Sequence, residues 1–362
     1  MNLDLTDEQE FLREAARGTL SRTNYVEAAR EALDGGELPD AWPVAKEAGW
    51  PGLLVSDEHG GAALSPFDAM LVMTEVGRVL APLPLLGHLV GSWLLDRGGF
   101  EGIEAIATGD RRAAYVPARP PGDVEGGWTV DAERGARRAA APTLDGDRVT
   151  GEVFWVPDAP GADVLVVVCD GGAVVAVEGA EVEAVRRYDP TRSLGHVRLD
   201  GAAGTVLAGA DATAAWYLAQ ALIAAESLGT VETCLEMAVA YAKERFTFGR
   251  PIGSYQAIKH GLTEVLRRLD NGRSLLYYAG WAGESAPGEF PIAASAARSA
   301  AGRALDFATR ENIAVHGGIG ATWEHEAPYL FRRAQLTRRL LGGTADATDR
   351  VAGEMIAAQK AA

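Results

Sequence analysis

Apolar residues recur at helical spacing through the first part of the chain. Near its start, Thr6 can cap a helix, with Gln9 three residues on as in a capping box. The apolar positions that follow at this spacing are Phe11, Leu12, Ala15 and Leu20. Ser65 and Pro66 are typical of another helix start, a capping residue followed by proline at the first helical position. The pattern predicts a helical domain over residues 1–111.

The hydrophobic pattern changes to that of β-strands from about residue 112. Short apolar runs rich in valine are bounded by glycine and aspartate turns, as expected for strands. These runs are Ala113–Pro117, Arg148–Pro157, Asp163–Cys169, Ala173–Val177 and His196–Leu199. Gly151, inside the second run, predicts a β-bulge. We therefore predict a compact β domain over residues 112–209, with turns at residues 120–123 and 125–127.

Helical periodicity returns at residue 210, which predicts a second helical domain over residues 210–362. Its two longest helical patterns, residues 214–244 and 256–283, are separated by Phe248-Gly249-Arg250-Pro251. Glycine frees the backbone there, and proline cannot donate a helical hydrogen bond. The chain is thus predicted to be α+β, with helical, β and helical domains in that order.

A cation and an amide flank this connection between the two long helices. Arg245 ends the first helix and Gln256 begins the second. An arginine fork and an amide at a helical turn suit the diphosphate of a dinucleotide. The alternative is that Arg245 only caps helix carbonyls and that Gln256 is solvated. The stretch by itself does not decide between the two.

The formal net charge of −16 excludes some classes of partner. Nucleic acid and anionic membranes both require a basic face, so we expect neither. No apolar run approaches membrane-spanning length. The two cysteines, Cys169 and Cys234, form neither a metal-type spacing nor a disulfide framework. We expect a cytoplasmic protein without a metal site.

Two motifs resemble hallmarks of the acyl-CoA dehydrogenase family. Residues 241–256 are similar to its Y-A-x-x-R-x-x-F-G-x-P-I-x-x-F/Y-Q motif, and residues 316–324 to its H-G-G-x-G-x-T-x-E motif. The two occur in the family's order, which makes the pair specific. Weaker matches, at residues 5–9, 49–61, 74–78 and 151–155, extend the resemblance over nearly the whole chain.

This resemblance implies a fold and an activity. The fold has N-terminal helices, a middle β-barrel domain and a C-terminal four-helix bundle. The activity is α,β-desaturation of an acyl-CoA by a tetramer that binds FAD at subunit contacts and passes electrons to an electron-transfer flavoprotein. In the family, a glutamate removes the α-proton, and hydrogen bonds to the thioester oxygen stabilise the enolate-like charge.

The resemblance also assigns residues to the cofactor. Those that match contacts to the adenosine and diphosphate of FAD are Arg245, Phe248, Gln256, Gly317 and Gly318. Trp155 matches the aromatic wall beside the isoalloxazine ring. Each has an alternative: Trp155 as ordinary barrel core, and the glycines as a plain turn between helices.

The catalytic glutamate of the family has no counterpart at its usual positions. Depending on the alignment, its place is taken by Leu341 or Gly342, and the position that some members use instead holds Ala219. Glu226 lies seven residues after Ala219, which places it on the same helix face about 10 Å along. Glu226 is a candidate displaced base; the alternative is a buried helix-packing acid.

The contacts to the flavin ring are lost as well. The family's T-E-P-x-x-G-S-D loop has no convincing match near residues 115–124, its flavin-bonding threonine is replaced by Pro157, and a FAD-binding glutamine by Ala314. The chain keeps the adenosine end of the site, which a neighbouring subunit often supplies. It thus resembles the smaller, base-less subunit of heteromeric α2β2 acyl-CoA dehydrogenases of bacterial steroid side-chain degradation.

Three hypotheses follow. The leading one is a subunit of a heteromeric FAD-dependent acyl-CoA dehydrogenase, acting on a bulky, steroid-derived CoA thioester, with a homologous partner supplying the glutamate. The second is a homomeric dehydrogenase that uses Glu226. The third is a non-catalytic scaffold or regulatory paralogue without flavin.

Overall fold

The N-terminal part of the computed structural model is helical, as predicted. The structure describes residues 4–33, 38–117, 140–185 and 188–361. The helices are α1 (Asp7–Leu20), α2 (Tyr25–Leu33), α3 (Trp42–Glu47), α4 (Pro66–Val79), α5 (Leu85–Arg97) and α6 (Ile103–Ala107). The capping box at Thr6 is formed, since Gln9 N donates to Thr6 Oγ1 at 3.2 Å and Thr6 N donates to Gln9 Oε1 at 3.1 Å. Ser65 caps α4 in the same way.

The middle part is a seven-stranded sheet rather than the expected barrel. Its strands are β1 (Ala113–Val116), β2 (Thr143–Asp145), β3 (Arg148–Pro157), β4 (Val164–Val168), β5 (Val174–Glu178), β6 (Glu181–Ala184) and β7 (Leu194–Val206). Their order is β1-β4-β5-β7-β3-β2, with β6 also paired to β7. The long β7 joins both halves, because its start pairs with β3 and its end with β5. Within the described residues no pairing joins β1 to β2, so the sheet stays open.

The predicted bulge at Gly151 is present in β3. The register between β3 and β7 shifts between Val149 and Gly151, and Gly151 adopts φ 148°. A side chain there would bring its Cβ to 2.8 Å from Pro142 Cα. A second shift follows between Val153 and Val156, where Trp155 takes a φ of 60°. The turns predicted at residues 120–123 and 125–127 lie outside the described residues.

The C-terminal part is helical, as predicted. It contains α7 (Ala212–Glu244), α8 (Gln256–Ser285), α9 (Phe290–His316), α10 (Ala327–Thr337) and α11 (Gly343–Ala361). The three long helices pack on one another, and α11 packs along α9 as the fourth member of the expected bundle, with the short α10 beside it. Helix α7 lies between α9 and α4, and most of its first two-thirds is buried.

Two glycines let α4 and α7 pack at backbone contact. A Cβ on Gly77 would overlap the carbonyl oxygen of Glu226, and a Cβ on Gly229 would overlap that of Thr74. Thr230 adds a hydrogen bond across the crossing, donating to Gly77 O at 2.8 Å. This crossing fixes Glu226 deep inside the molecule, where it is 2% exposed.

Candidate functional site

The connection between α7 and α8 is a small β-hairpin. Strand β8 (Phe246–Thr247) pairs with β9 (Arg250–Pro251), and Phe248 and Gly249 form the turn with φ angles of 49° and 78°. Two successive positive φ angles define the type I′ turn that suits a two-residue hairpin. Phe248 is 93% exposed at its tip. The stretch predicted as a tight connection is therefore an arm that presents an aromatic ring.

Arg245 and Gln256 lie at the base of this arm. Arg245 lies just beyond the end of α7, with φ −79° and ψ 122°. Its backbone N–H still donates to Tyr241 O in the helix. Both side chains are exposed. Among the described residues the Arg245 guanidinium forms no ion pair, so its donors remain open to an anion.

The glycine motif joins the same surface. Helix α9 ends at His316, whose ring packs on Tyr241 with centroids 4.4 Å apart, one turn before Arg245. Gly317 then adopts φ 65° and ψ −138°, a conformation that glycine tolerates and other residues avoid. A Cβ on Gly317 or Gly318 would meet nothing within 4 Å. The bare backbone leaves room for a close ligand.

Trp155 lies away from this surface, in β3 of the sheet. Its backbone N–H donates to His196 Nδ1 at 3.3 Å, and the Trp155 and His196 rings meet edge to face with their centroids 4.9 Å apart. Pro157 beside it is buried and has no N–H to offer. His196, on β7, was not singled out in the sequence, because its contact depends on strand register. On the ring side of the predicted cofactor site, the structure thus shows Trp155 against His196, and Pro157 in place of the threonine donor.

Glu226 is held in a buried ion-pair network. Arg333 Nη1 contacts Glu226 Oε1 at 2.7 Å, and Arg192 donates to both Glu226 oxygens. Arg333 Nε also donates to Asp189 Oδ2 at 2.6 Å, and Thr191 N donates to Asp189 Oδ1 at 2.8 Å. All five residues are at most 4% exposed. Sequence reasoning missed the partners of Glu226, since they come from a loop of the sheet and from α10.

The positions that would hold the family's base carry no carboxylate. Leu341 is 2% exposed, and its carbonyl accepts a hydrogen bond from Gln220 Nε2 at 2.9 Å. Gly342 follows with φ 78°. Arg298 supports the same segment from α9, donating to Thr337 O at 2.6 Å and Leu340 O at 3.2 Å. Burial lowers the pKa of Arg298 to about 10. Ala219, the other position considered, is fully buried.

Two further features concern the described residues alone. They contain no group of three or more His, Cys, Asp or Glu arranged to hold a metal ion. None of their helices is both long and apolar enough to cross a membrane.

Comparison with known proteins gives the family to which this fold, with its hairpin arm and glycine turn, belongs. Residues 6–117 match the N-terminal domain of acyl-CoA dehydrogenases, and residues 211–356 match the C-terminal domain. The acyl-CoA dehydrogenase IpdE2 of Mycolicibacterium smegmatis is 30% identical, covering 97% of this chain and 100% of the relative. This chain therefore belongs to the acyl-CoA dehydrogenase family.

Solved structures share the whole architecture. The ChsE4-ChsE5 complex from Mycobacterium tuberculosis contains a chain with a TM-score of 0.84 and 24% identity, covering 98% of this chain and 99% of that one. A variant of the Tcur3481-Tcur3483 steroid acyl-CoA dehydrogenase gives a TM-score of 0.84 and 25% identity, with coverage of 98% and 99%. Both confirm the order of helical, sheet and helical parts.

Proposed function

We propose that this chain is one subunit of a heteromeric FAD-dependent acyl-CoA dehydrogenase acting on a bulky, steroid-derived CoA thioester. A homologous partner subunit supplies the glutamate that removes the α-proton. An electron-transfer flavoprotein reoxidises the cofactor. FAD is the cofactor that family membership implies, and when bound it supplies the hydride acceptor.

One observation carries this proposal. The candidate base positions hold Leu341 or Gly342 and Ala219, and the remaining candidate, Glu226, is neutralised by two arginines. A general base must reach its proton within about 3 Å, directly or through one water. A carboxylate whose oxygens both contact buried guanidinium groups is poorly placed to do so. The chain therefore has the family's fold, but the positions considered for the base, all within the described residues, offer no free carboxylate.

The residues retained on the cofactor surface support a role at a shared site. The hairpin arm with Arg245 and Phe248, and the open backbone at Gly317 and Gly318, suit an adenosine diphosphate. The ring side is poorer, because Pro157 replaces a donor. A chain that keeps the adenosine diphosphate side of the site but has a poorer flavin-ring side can complete the cofactor site of a neighbouring subunit. The relatives point the same way, since one solved structure is a two-component complex and another is described as a steroid enzyme.

Purification alone and with a homologous partner tests the proposal. The chain and a candidate partner of the same family from the same organism are expressed separately and together. Flavin absorbance per protein and turnover of a steroid-derived CoA thioester are then measured. We expect bound flavin and turnover in the pair only. Turnover by this chain alone would favour the homomeric alternative, and a colourless, inactive pair would favour the scaffold.

The role of Glu226 is tested by two matched variants, Glu226→Gln and Asp189→Asn. Each removes one carboxylate from the network around Arg333, but only Glu226 is a candidate base. Removing one partner from a buried ion-pair network costs about 3–5 kcal/mol, so both variants should unfold at lower urea concentration than the parent. We expect turnover per bound flavin in the folded pair to change by less than about threefold in either. Loss of turnover in Glu226→Gln alone, with Asp189→Asn active, would identify Glu226 as the base.

A further inference from the structure

Four arginines surround a cleft of about 300 Å³ between α8, α9 and the segment from α10 to α11. Arg268 comes from α8, Arg303 and Arg310 come from α9, and Arg338 follows α10. One carboxylate, Asp306, lines the same cleft. In a chain with a net charge of −16, this is a local concentration of positive charge.

The single carboxylate is already engaged. Asp306 pairs with Arg310 at 3.1 Å and with Arg338 at 3.5 Å, and it also accepts from Gln335 Nε2 at 2.9 Å. Two cations thus share one anion. These contacts leave the lining with an excess of positive charge.

The other two arginines add to this excess. Arg303 donates to Ser299 Oγ at 2.9 Å and to Ser299 O at 3.3 Å, and among the described residues it forms no ion pair. Arg268 forms an ion pair through Nε with Glu264 at 2.8 Å, but this carboxylate lies outside the cleft lining and is shared with Arg267 at 2.7 Å. A ligand with several negative charges would complete the balance.

Ring stacking and close packing fix the positions of residues that line the cleft. The guanidinium of Arg268 lies over the Phe307 ring, 4.5 Å from its centroid, and that of Arg310 lies 5.3 Å from the Phe331 centroid. Stacking on a ring restrains a guanidinium while leaving N–H groups in its plane free to donate. Gly302 lies in the wall, and a Cβ there would overlap the Thr344 hydroxyl. Gly302 therefore leaves room for the Thr344 side chain in this wall of the cleft.

We propose that this cleft binds the phosphates of a nucleotide ligand. Arginine forks match phosphate oxygens in pairs, and phosphates carry the multiple charge that the cleft lacks. The phosphates are those of the CoA part of the thioester, because the FAD diphosphate is assigned to the hairpin surface; this choice of ligand rests on the proposed function. The cleft differs from the hairpin surface, because Arg303 precedes Gly317 by about 20 Å along α9.

Calorimetric titration of the full-length chain, alone and in the pair, tests this site. The probes are inorganic pyrophosphate, FAD, CoA and dephospho-CoA. We expect saturable pyrophosphate binding that Arg303→Gln weakens roughly tenfold. Arg303 is chosen because its removal leaves no carboxylate unpaired; Arg338→Gln replaces it if circular dichroism shows a folding defect. The control is Arg267→Gln, which changes an exposed arginine of α8 outside the cleft.

The nucleotide probes identify the source of the phosphates. Weaker binding of dephospho-CoA than of CoA, with this difference abolished in Arg303→Gln, assigns the site to CoA. Weaker FAD binding in Arg303→Gln would overturn that assignment, because FAD is expected at the hairpin surface. Three further results would overturn the proposal: no saturable pyrophosphate binding, an equal effect of Arg267→Gln, or binding by the chain that disappears in the pair, which would make the cleft a subunit contact. None of these titrations needs turnover. The cleft proposal can therefore be refuted while the proposed function stands, and the proposed function can be refuted while the cleft proposal stands.

Discussion

At the scale of single residues, two fully buried ionisable groups respond to pH in opposite ways. Burial lowers the pKa of His88 to about 4, and the neutral ring bonds both Pro51 O at 3.2 Å and Ala113 N at 3.1 Å. Its contribution to stability is present above its ordinary pKa and is lost as pH falls. Burial raises the pKa of Asp158 to about 6, despite the nearby arginines and a hydrogen bond from Gly87 N.

Asp158→Asn should flatten the pH dependence of stability. The folded protein holds a proton on Asp158 more tightly than the unfolded chain does, so its contribution is full below the ordinary pKa of 3.8 and is lost as pH rises through about 6. Asparagine keeps the acceptor for Gly87 N without the charge. We expect the variant to gain up to ~3 kcal/mol over the parent between pH 4 and pH 7, measured by urea unfolding at both values.

Two features make this result interpretable. His88 is present in both proteins, so its opposite effect cancels in the comparison. The exposed Asp145→Asn serves as the control and should show no such pH-dependent gain. Equal profiles for parent and Asp158→Asn would mean that the buried carboxylate is as easily charged in the folded protein as in the unfolded chain.

At the scale of elements, the crossing of α4 and α7 explains a motif that the sequence shows but does not interpret. The Glu-x-Gly-Arg run at residues 75–78 places Gly77 against the backbone of Glu226. On either side of it, Glu75 binds Arg17 of α1 at 2.9 Å and Arg78 binds Glu232 of α7 at 2.8 Å. The glycine sets the helix spacing, and the charges tie three helices together.

Gly77→Ala should destabilise the protein strongly. The new methyl group would meet a carbonyl oxygen of α7, so the helices must separate, at a cost of ~3 kcal/mol. The matched control is Gly18→Ala in α1, where a Cβ meets nothing within 4 Å and alanine favours the helix by about 0.5–1 kcal/mol. Urea unfolding of both variants measures the difference. Similar shifts for the two would show that the crossing relaxes without cost.

The elements that the sequence predicted are those with a strong local signal. The helix caps at Thr6 and Ser65, the long helices and the bulge at Gly151 each depend on residues within a few positions, and they were predicted correctly. Strand β6 was not predicted, because a four-residue, mostly exposed strand has little hydrophobic pattern. The open edge of the sheet was not predicted either. The hairpin arm was read as a turn, since its two strands are only two residues each.

The same limit applies to the candidate site. The sequence identified Glu226 and its helix face, but its neutralisation by Arg192 and Arg333 depends on contacts 34 and 107 residues away in the chain. No local pattern encodes such pairs. The motif at residues 241–256 and the glycine motif at residues 316–324 could be recognised because each is one continuous stretch, and the structure brings them together through Tyr241 and His316.

At the scale of the whole molecule, the arm at residues 246–251 is the feature that a single chain does not explain. Phe246 is 59% exposed and Phe248 is 93% exposed, although burying an aromatic side chain is worth about 1.5–3 kcal/mol. Phe248 also adopts a positive φ, which disfavours any residue but glycine or asparagine. Burial of the arm against a neighbouring subunit would remove the exposure of both rings and offset the cost of the positive φ. We therefore predict that the arm contacts a neighbouring subunit.

Phe248→Asn separates the folding of the arm from its contact with a partner. Asparagine followed by Gly249 is the preferred pair for a type I′ turn, so the chain itself should be as stable as the parent or more so. Loss of the aromatic surface should weaken assembly by roughly 10- to 100-fold and lower the flavin retained per protein. Sedimentation and flavin absorbance of the purified assembly measure both. The control, Phe11→Gln, removes another exposed ring, 74% accessible on α1, and should leave both unchanged. Undiminished assembly in Phe248→Asn would mean that the arm stays in solvent and that the shared cofactor site lies elsewhere.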